Sequence, residues 1–95
     1  MYKMIFTVTA KPGTRSKILE AAKPCIEATR RETGCLQYEF YACSDIEDRF
    51  VTVECFVNPA AHETHGQSVH FKAFQPTLDA NILGYTMELI VPAPA

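Results

Sequence analysis

Glu54, His62, His65 and His70 are the side chains in this sequence best suited to moving a proton or holding a metal. They crowd into one stretch, FVTVECFVNPAAHETHGQSVHFKAF, from Phe50 to Phe74. Glu54 interrupts a run that otherwise reads as buried strand, where it shares a parity with Thr52 and Phe56, opposite Val53 and Cys55. If Val53 and Cys55 pack on helices, Glu54 points into the space between this sheet and a second one. A carboxylate there is paired, protonated or at work, because an unpaired buried charge is too costly to keep. The structural alternative is that it accepts hydrogen bonds at a subunit interface. His62 and His65 are one helical turn apart, which suits a shared metal, but H-x-x-H without a third ligand at a set distance leaves no metal expected. By the same spacing His62 reads as exposed. His70 precedes Phe71 on a partly apolar helix and reads equally as a site residue or as a core histidine satisfied by a carbonyl. A Cys55–His65 nucleophilic pair is disfavoured, since parity turns Cys55 toward the helices as an inert thiol. There is no G-x-G-x-x-G, P-loop or G-x-S-x-G, so chemistry without a cofactor, or plain binding, remains.

These residues need a scaffold. The chain has 95 residues, enough for one domain over 1–95, and its 47% hydrophobic content can fill a core. Nine basic residues are interleaved with eleven acidic ones for a formal charge of −2, so no nucleic acid partner is expected. No apolar run approaches the roughly 20 residues of a membrane span. Cys25, Cys35, Cys43 and Cys55 lack C-x-x-C spacing and follow no secretory leader, which predicts reduced thiols in a cytoplasmic protein.

Tyr2 to Ala10 reads as a strand closed by Lys11-Pro12-Gly13. From Thr14 to Thr33, Ile18, Ala22, Cys25 and Thr29 recur at helical spacing. A bend or break is expected between Glu20 and Pro24, and Gly34 is expected as the C-cap. Cys35 to Ala42 and Phe50 to Val57 alternate as two strands of a hairpin. Asn58-Pro59 opens a short helix through His65, ended by Gly66. Ser68 caps a second segment with Phe71, Phe74 and Leu78 on one face, weakened at Pro76, and Tyr85 to Val91 is a fourth strand before a flexible tail at 92–95. The order β-α-β-β-α-β predicts an α+β, ferredoxin-like split βαβ fold, an antiparallel sheet with its helices on one face. Strand three is apolar on both parities, with Val51, Val53, Cys55 and Val57 on one and Phe50 and Phe56 on the other. A second sheet must cover the free face, and a two-fold homodimer is expected, with Phe56 at the interface.

ETGCLQYEFY (Glu32 to Tyr41), F-x-x-x-E-x-F (Phe50 to Phe56) and H-x-x-S-x-H-F (His65 to Phe71) together resemble the antibiotic biosynthesis monooxygenase domain family, in order along nearly the whole chain. The resemblance implies a dimeric α+β barrel and activities ranging from cofactor-independent oxygenation of quinols and polyketide phenols to haem degradation and sugar isomerisation. Position by position, Glu54, His65, Ser68, His70 and Phe71 match the family's pattern. The resemblance places Glu54 and the two histidines in a pocket between the sheet and the second helix. Phe56 stands where the family commonly has Trp; it keeps an aromatic wall without the indole N–H, which makes the haem-degrading branch the poorer match. The expected activity is oxidation of a small aromatic substrate by O₂ without cofactor. Glu54, His65 and His70 are the catalytic candidates, and Tyr38, Phe50, Phe56, Ser68 and Phe71 the substrate-binding ones. Isomerisation of a small carbonyl compound, or binding of an aromatic metabolite without turnover, are the alternatives.

Overall fold

A computed structural model describes residues 1–91 of the chain; the tail expected at 92–95 lies outside the described residues. Along the chain run β1 (Tyr2–Ala10), α1 (Arg15–Thr29), β2 (Cys35–Ala42), β3 (Arg49–Phe56), α2 (Pro59–Gly66), α3 (Val69–Asn81) and β4 (Ile82–Ile90). The strands form one antiparallel sheet in the order β2-β3-β1-β4, the ferredoxin-like α+β arrangement that the element order predicts. Among the described residues, no helix is long and apolar enough to cross a membrane.

The alternation of each strand decides which residues meet the helices. Met4, Val8 and Ala10 of β1, Phe50 and Phe56 of β3, and Tyr38 of β2 are buried on one face, together with Ile18, Ala22 and Cys25 of α1 and Phe74 of α3. The four α1 positions singled out by spacing are the ones the helix buries: Ile18, Ala22, Cys25 and Thr29. Glu54 and Thr52 lie on this same covered face, so the parity expected for strand three is inverted. Val53 and Cys55 belong to the uncovered side. Phe56 is fully buried under the helices and is not a residue of a free sheet face. Cys55 is kept from His65 by the sheet itself, and its Sγ lies 3.4 Å from Met1 Sδ.

Both prolines sit inside continuous helices. Pro24 falls within α1 and Pro76 within α3, and both side chains are exposed. The carbonyls that lose an N–H partner therefore lie on the watered side of each helix, where water can replace the lost bond, so neither helix is broken. Gly34 is not a helix cap either: α1 is capped at Arg30. A Cβ on Gly34 would stand 2.5 Å from the Cβ of Ala61, so the missing side chain is what lets α2 settle against the start of β2. The caps of the next two helices are those expected. Asn58 accepts from the Ala61 N–H, and Ser68 from the Phe71 N–H. Helix α3 runs on to Asn81 and β4 starts at Ile82, three residues before the expected strand.

Candidate active site

The tight turn between α2 and α3 fixes His65 and His70. Ser68 donates its hydroxyl to the His65 carbonyl at 2.6 Å and accepts from the Phe71 N–H at 3.2 Å, which locks the end of one helix to the start of the next. Both imidazoles turn toward Glu32, which lies between α1 and β2. His65 Nδ1 is 2.9 Å and His70 Nε2 is 2.5 Å from the same carboxylate oxygen, Oε2 of Glu32. His65 is 2% exposed, and its Nε2 is buried without a hydrogen-bond partner among the described residues. With Nδ1–H donating to Glu32, the lone pair of a neutral His65 is on Nε2. The ring is held by aromatic neighbours, with centroids 5.0 Å away at Tyr38, 5.1 Å at Phe71 and 5.3 Å at Phe56.

Glu54 is 8% exposed. Burial pushes its carboxyl up to about 7, against the hydrogen bond from Thr52 Oγ1 at 2.9 Å, which pulls the other way. Its other oxygen is 3.9 Å from His62 Nε2. His62 is not simply exposed as its spacing predicts: its ring packs on Phe56 and Tyr2 at centroid distances of 5.3 and 5.6 Å. Burial first, then the neighbouring His65, lowers its pKa, and Glu32 opposes them.

Beside these groups lies a cavity of about 220 Å³, walled by apolar side chains including Phe6, Phe40, Phe74 and Leu78. Tyr38, Phe50 and Phe71, three of the five residues expected to bind substrate, line it as well. Phe56 and Ser68 do not: Phe56 backs the rings of His62 and His65, and Ser68 ties α2 to α3. Glu54 and His65 stand one residue behind the wall, and His70 lies beyond His65, its ring 6.0 Å from that of His65. Thr52 both lines the cavity and bonds Glu54, while Tyr38 and Phe71 both line it and pack on His65. The arrangement thus couples an aromatic-sized apolar space to a carboxyl with a pKa near neutrality and to an oriented imidazole. That combination is suited to removing a proton from a bound phenol-like group.

Glu32 was not among the residues picked from spacing. It is separated from the two histidines by 33 and 38 positions, so no local pattern joins them. The only signal it carries is its place at the head of the ETGCLQYEFY stretch.

A profile of the antibiotic biosynthesis monooxygenase family matches residues 1–77. A Bacillus subtilis protein, YcnE, whose name gives it a provisional monooxygenase role, is 30% identical over 67 residues, 70% of this chain and 70% of that protein. An uncharacterized Synechocystis protein is likewise 30% identical over 67 residues, but the match spans only 46% of its length. Among solved structures, a crystal structure of an antibiotic biosynthesis monooxygenase superposes with a TM-score of 0.89 at 27% identity, covering 99% of this chain and 100% of that one. A Pseudomonas aeruginosa protein gives 0.88 at 25% identity, covering 98% and 94%.

Proposed function

The chain belongs to the antibiotic biosynthesis monooxygenase family, and from that premise we propose that it oxidises a small, electron-rich aromatic substrate of the quinol type with O₂. The observation that supports this reading is His65, buried behind the cavity wall with Nδ1 engaged by Glu32 and Nε2 unpartnered. The substrate ring occupies the apolar cavity. Its hydroxyl gives up a proton to Glu54 through the hydroxyl of Thr52, which lines the cavity and bonds that carboxyl, with His65 Nε2, behind Tyr38 and Phe71, as the second group able to hold a proton. The resulting phenolate is electron-rich enough to reduce O₂ itself, so the electrons come from the substrate. An oxygen–carbon bond forms at the ring, and the peroxide O–O bond then breaks. One oxygen atom stays as a new carbonyl and the other leaves as water, so a CH₂ or phenolic CH becomes C=O for each O₂ consumed. An apolar enclosure protects the peroxide from water.

In this reading the protein works as a cytoplasmic homodimer. Its support is the uncovered sheet face, where Ile5, Val51 and Val53 carry apolar side chains with no helix over them, and the four free cysteines.

The test is oxygen uptake by purified, chelator-treated protein with a panel of quinols and polyphenols, corrected for autoxidation. Wild-type uptake should fall by roughly 100-fold or more in His65→Gln and Glu54→Gln, the usual scale for losing a general base. Unchanged uptake in both variants would sink the roles given to these residues. Saturable binding without uptake would turn the reading to isomerisation, if the ligand is converted, or to plain binding, if it is not.

A further inference from the structure

We propose that Glu32, His65 and His70 form a binding site for one divalent transition-metal ion of the class that takes nitrogen and oxygen ligands, such as Zn²⁺, Fe²⁺ or Co²⁺. The H-x-x-H pair on α2 does not supply it, since His62 turns toward Glu54. The pair that converges is His65 and His70, on different helices, with a carboxylate from a third segment. Their three donor atoms, Nδ1, Nε2 and Oε2, all lie within 4.8 Å of one another, and the oxygen is 2.9 and 2.5 Å from the two nitrogens. Ligands held about 2.1 Å from a metal are separated by roughly 3.0 Å at right angles and roughly 3.4 Å in a tetrahedron. The oxygen–nitrogen separations need to open by less than about an ångström to fit that shell, within reach of a rotation of the Glu32 carboxylate.

Two further features favour an ion over a mere hydrogen-bond cluster. A single carboxylate oxygen now serves two imidazoles at once, whereas a cation would draw on both ring nitrogens and the carboxylate together. The site also has a buried wall and an open side. The side chain of His65 is 3% exposed, while those of Glu32 and His70 are 17% and 24% exposed. Two histidines and one carboxylate occupy one face of an ion and leave the remaining positions, on the open side, to water or a small ligand. The hydroxyl of Ser68, by tying α2 to α3, fixes the spacing between the two histidines, the support that a ligand pair on separate helices requires. Each imidazole ligates as a neutral ring, with its proton on the nitrogen away from the ion, so an ion bound here moves the His65 proton to Nε2 and takes that nitrogen out of service as a base. This proposal rests on the geometry and not on the oxygenation reading, so a protein that consumes no O₂ leaves it standing.

The experiment is titration of the chelator-treated chain with Co²⁺, followed by its visible absorption bands, with Zn²⁺ competition to obtain the affinity. One equivalent is expected to bind, with no sulfur-to-cobalt charge-transfer band in the near ultraviolet. Glu32→Gln and His70→Ala should each weaken binding by more than about 100-fold, because second-shell changes alone cost roughly 10- to 100-fold. His62→Ala should leave it unchanged. His70→Cys guards against a variant that fails merely by unfolding: it should retain the ion and add the sulfur band that the wild type lacks. No cobalt bands in the wild type, a sulfur band already present there, or affinity indifferent to Glu32 and His70 would each overturn the site.

Discussion

At the scale of single residues, the cost of burying Glu54 depends on pH. Its carboxyl titrates near 4.5 when free and is raised to about 7 by burial in the fold. The folded chain therefore binds more protons than the unfolded one between those values, and stability must fall as pH rises through that window. The full shift corresponds to a loss on the order of 3 kcal/mol. Glu54→Gln removes the ionisable group while keeping its shape and the acceptor for Thr52. It should melt higher than the wild type at pH 8, with the gap closing at pH 5, where the native carboxyl is already protonated. Thermal unfolding at both values checks this, and an equal gap at both would mean that Glu54 is not held as a strained carboxylate. Glu54 stood out in the sequence because a charge inside an apolar strand is conspicuous, and His65 and His70 because they belong to a cluster of three histidines and to the H-x-x-S-x-H-F stretch of the family resemblance. Glu32 was not legible. Its partners are distant in sequence, and only the packing of α2 and α3 brings them to it.

Elements show a different division between what is legible and what is not. Strand β1 and the buried stripe of α1 follow directly from periodicity, because burial on one side leaves a regular imprint. The expected break at Pro24 did not appear, since a proline whose orphaned carbonyl faces water costs a helix less than one facing the core. The parity of β3 came out reversed for an equally physical reason: with apolar residues on both sides of the strand, alternation cannot say which side the helices take. Gly34 supplies the prediction at this scale. Gly34→Ala would press its Cβ on Ala61 and displace α2, costing about 1–3 kcal/mol as overpacking does. Part of that loss should return in the Gly34→Ala, Ala61→Gly double variant, less the cost of a glycine within a helix. Urea unfolding midpoints of the four proteins decide it, and strictly additive losses would show that the Ala61 contact is not what the glycine relieves.

The whole molecule is a slab of 40 × 33 × 17 Å, the thickness of a sheet with helices on one side only. Its free face carries Ile5, Val51 and Val53, and an antiparallel sheet with such a face is most stable when something covers it. If the proposed dimer forms through this face, Val53→Asp is expected to convert it into a folded monomer by sizing chromatography and circular dichroism. Phe56→Asp, charging a fully buried ring position, should instead cost the fold itself. If Val53→Asp leaves a dimer intact, the subunits meet elsewhere. One last consequence comes from the wall made by Tyr38, Thr52 and Phe71, which stands between the cavity and Glu54 and His65. Under the proposed function, the space that would select a ligand meets Glu54 and His65 through these three side chains. Substitutions at Phe6 or Leu78, which line the cavity away from that wall, should therefore reshape what is admitted while Glu54 and His65 keep their surroundings. Ligand preference and proton chemistry would then be separable traits of this fold, each open to change without the other.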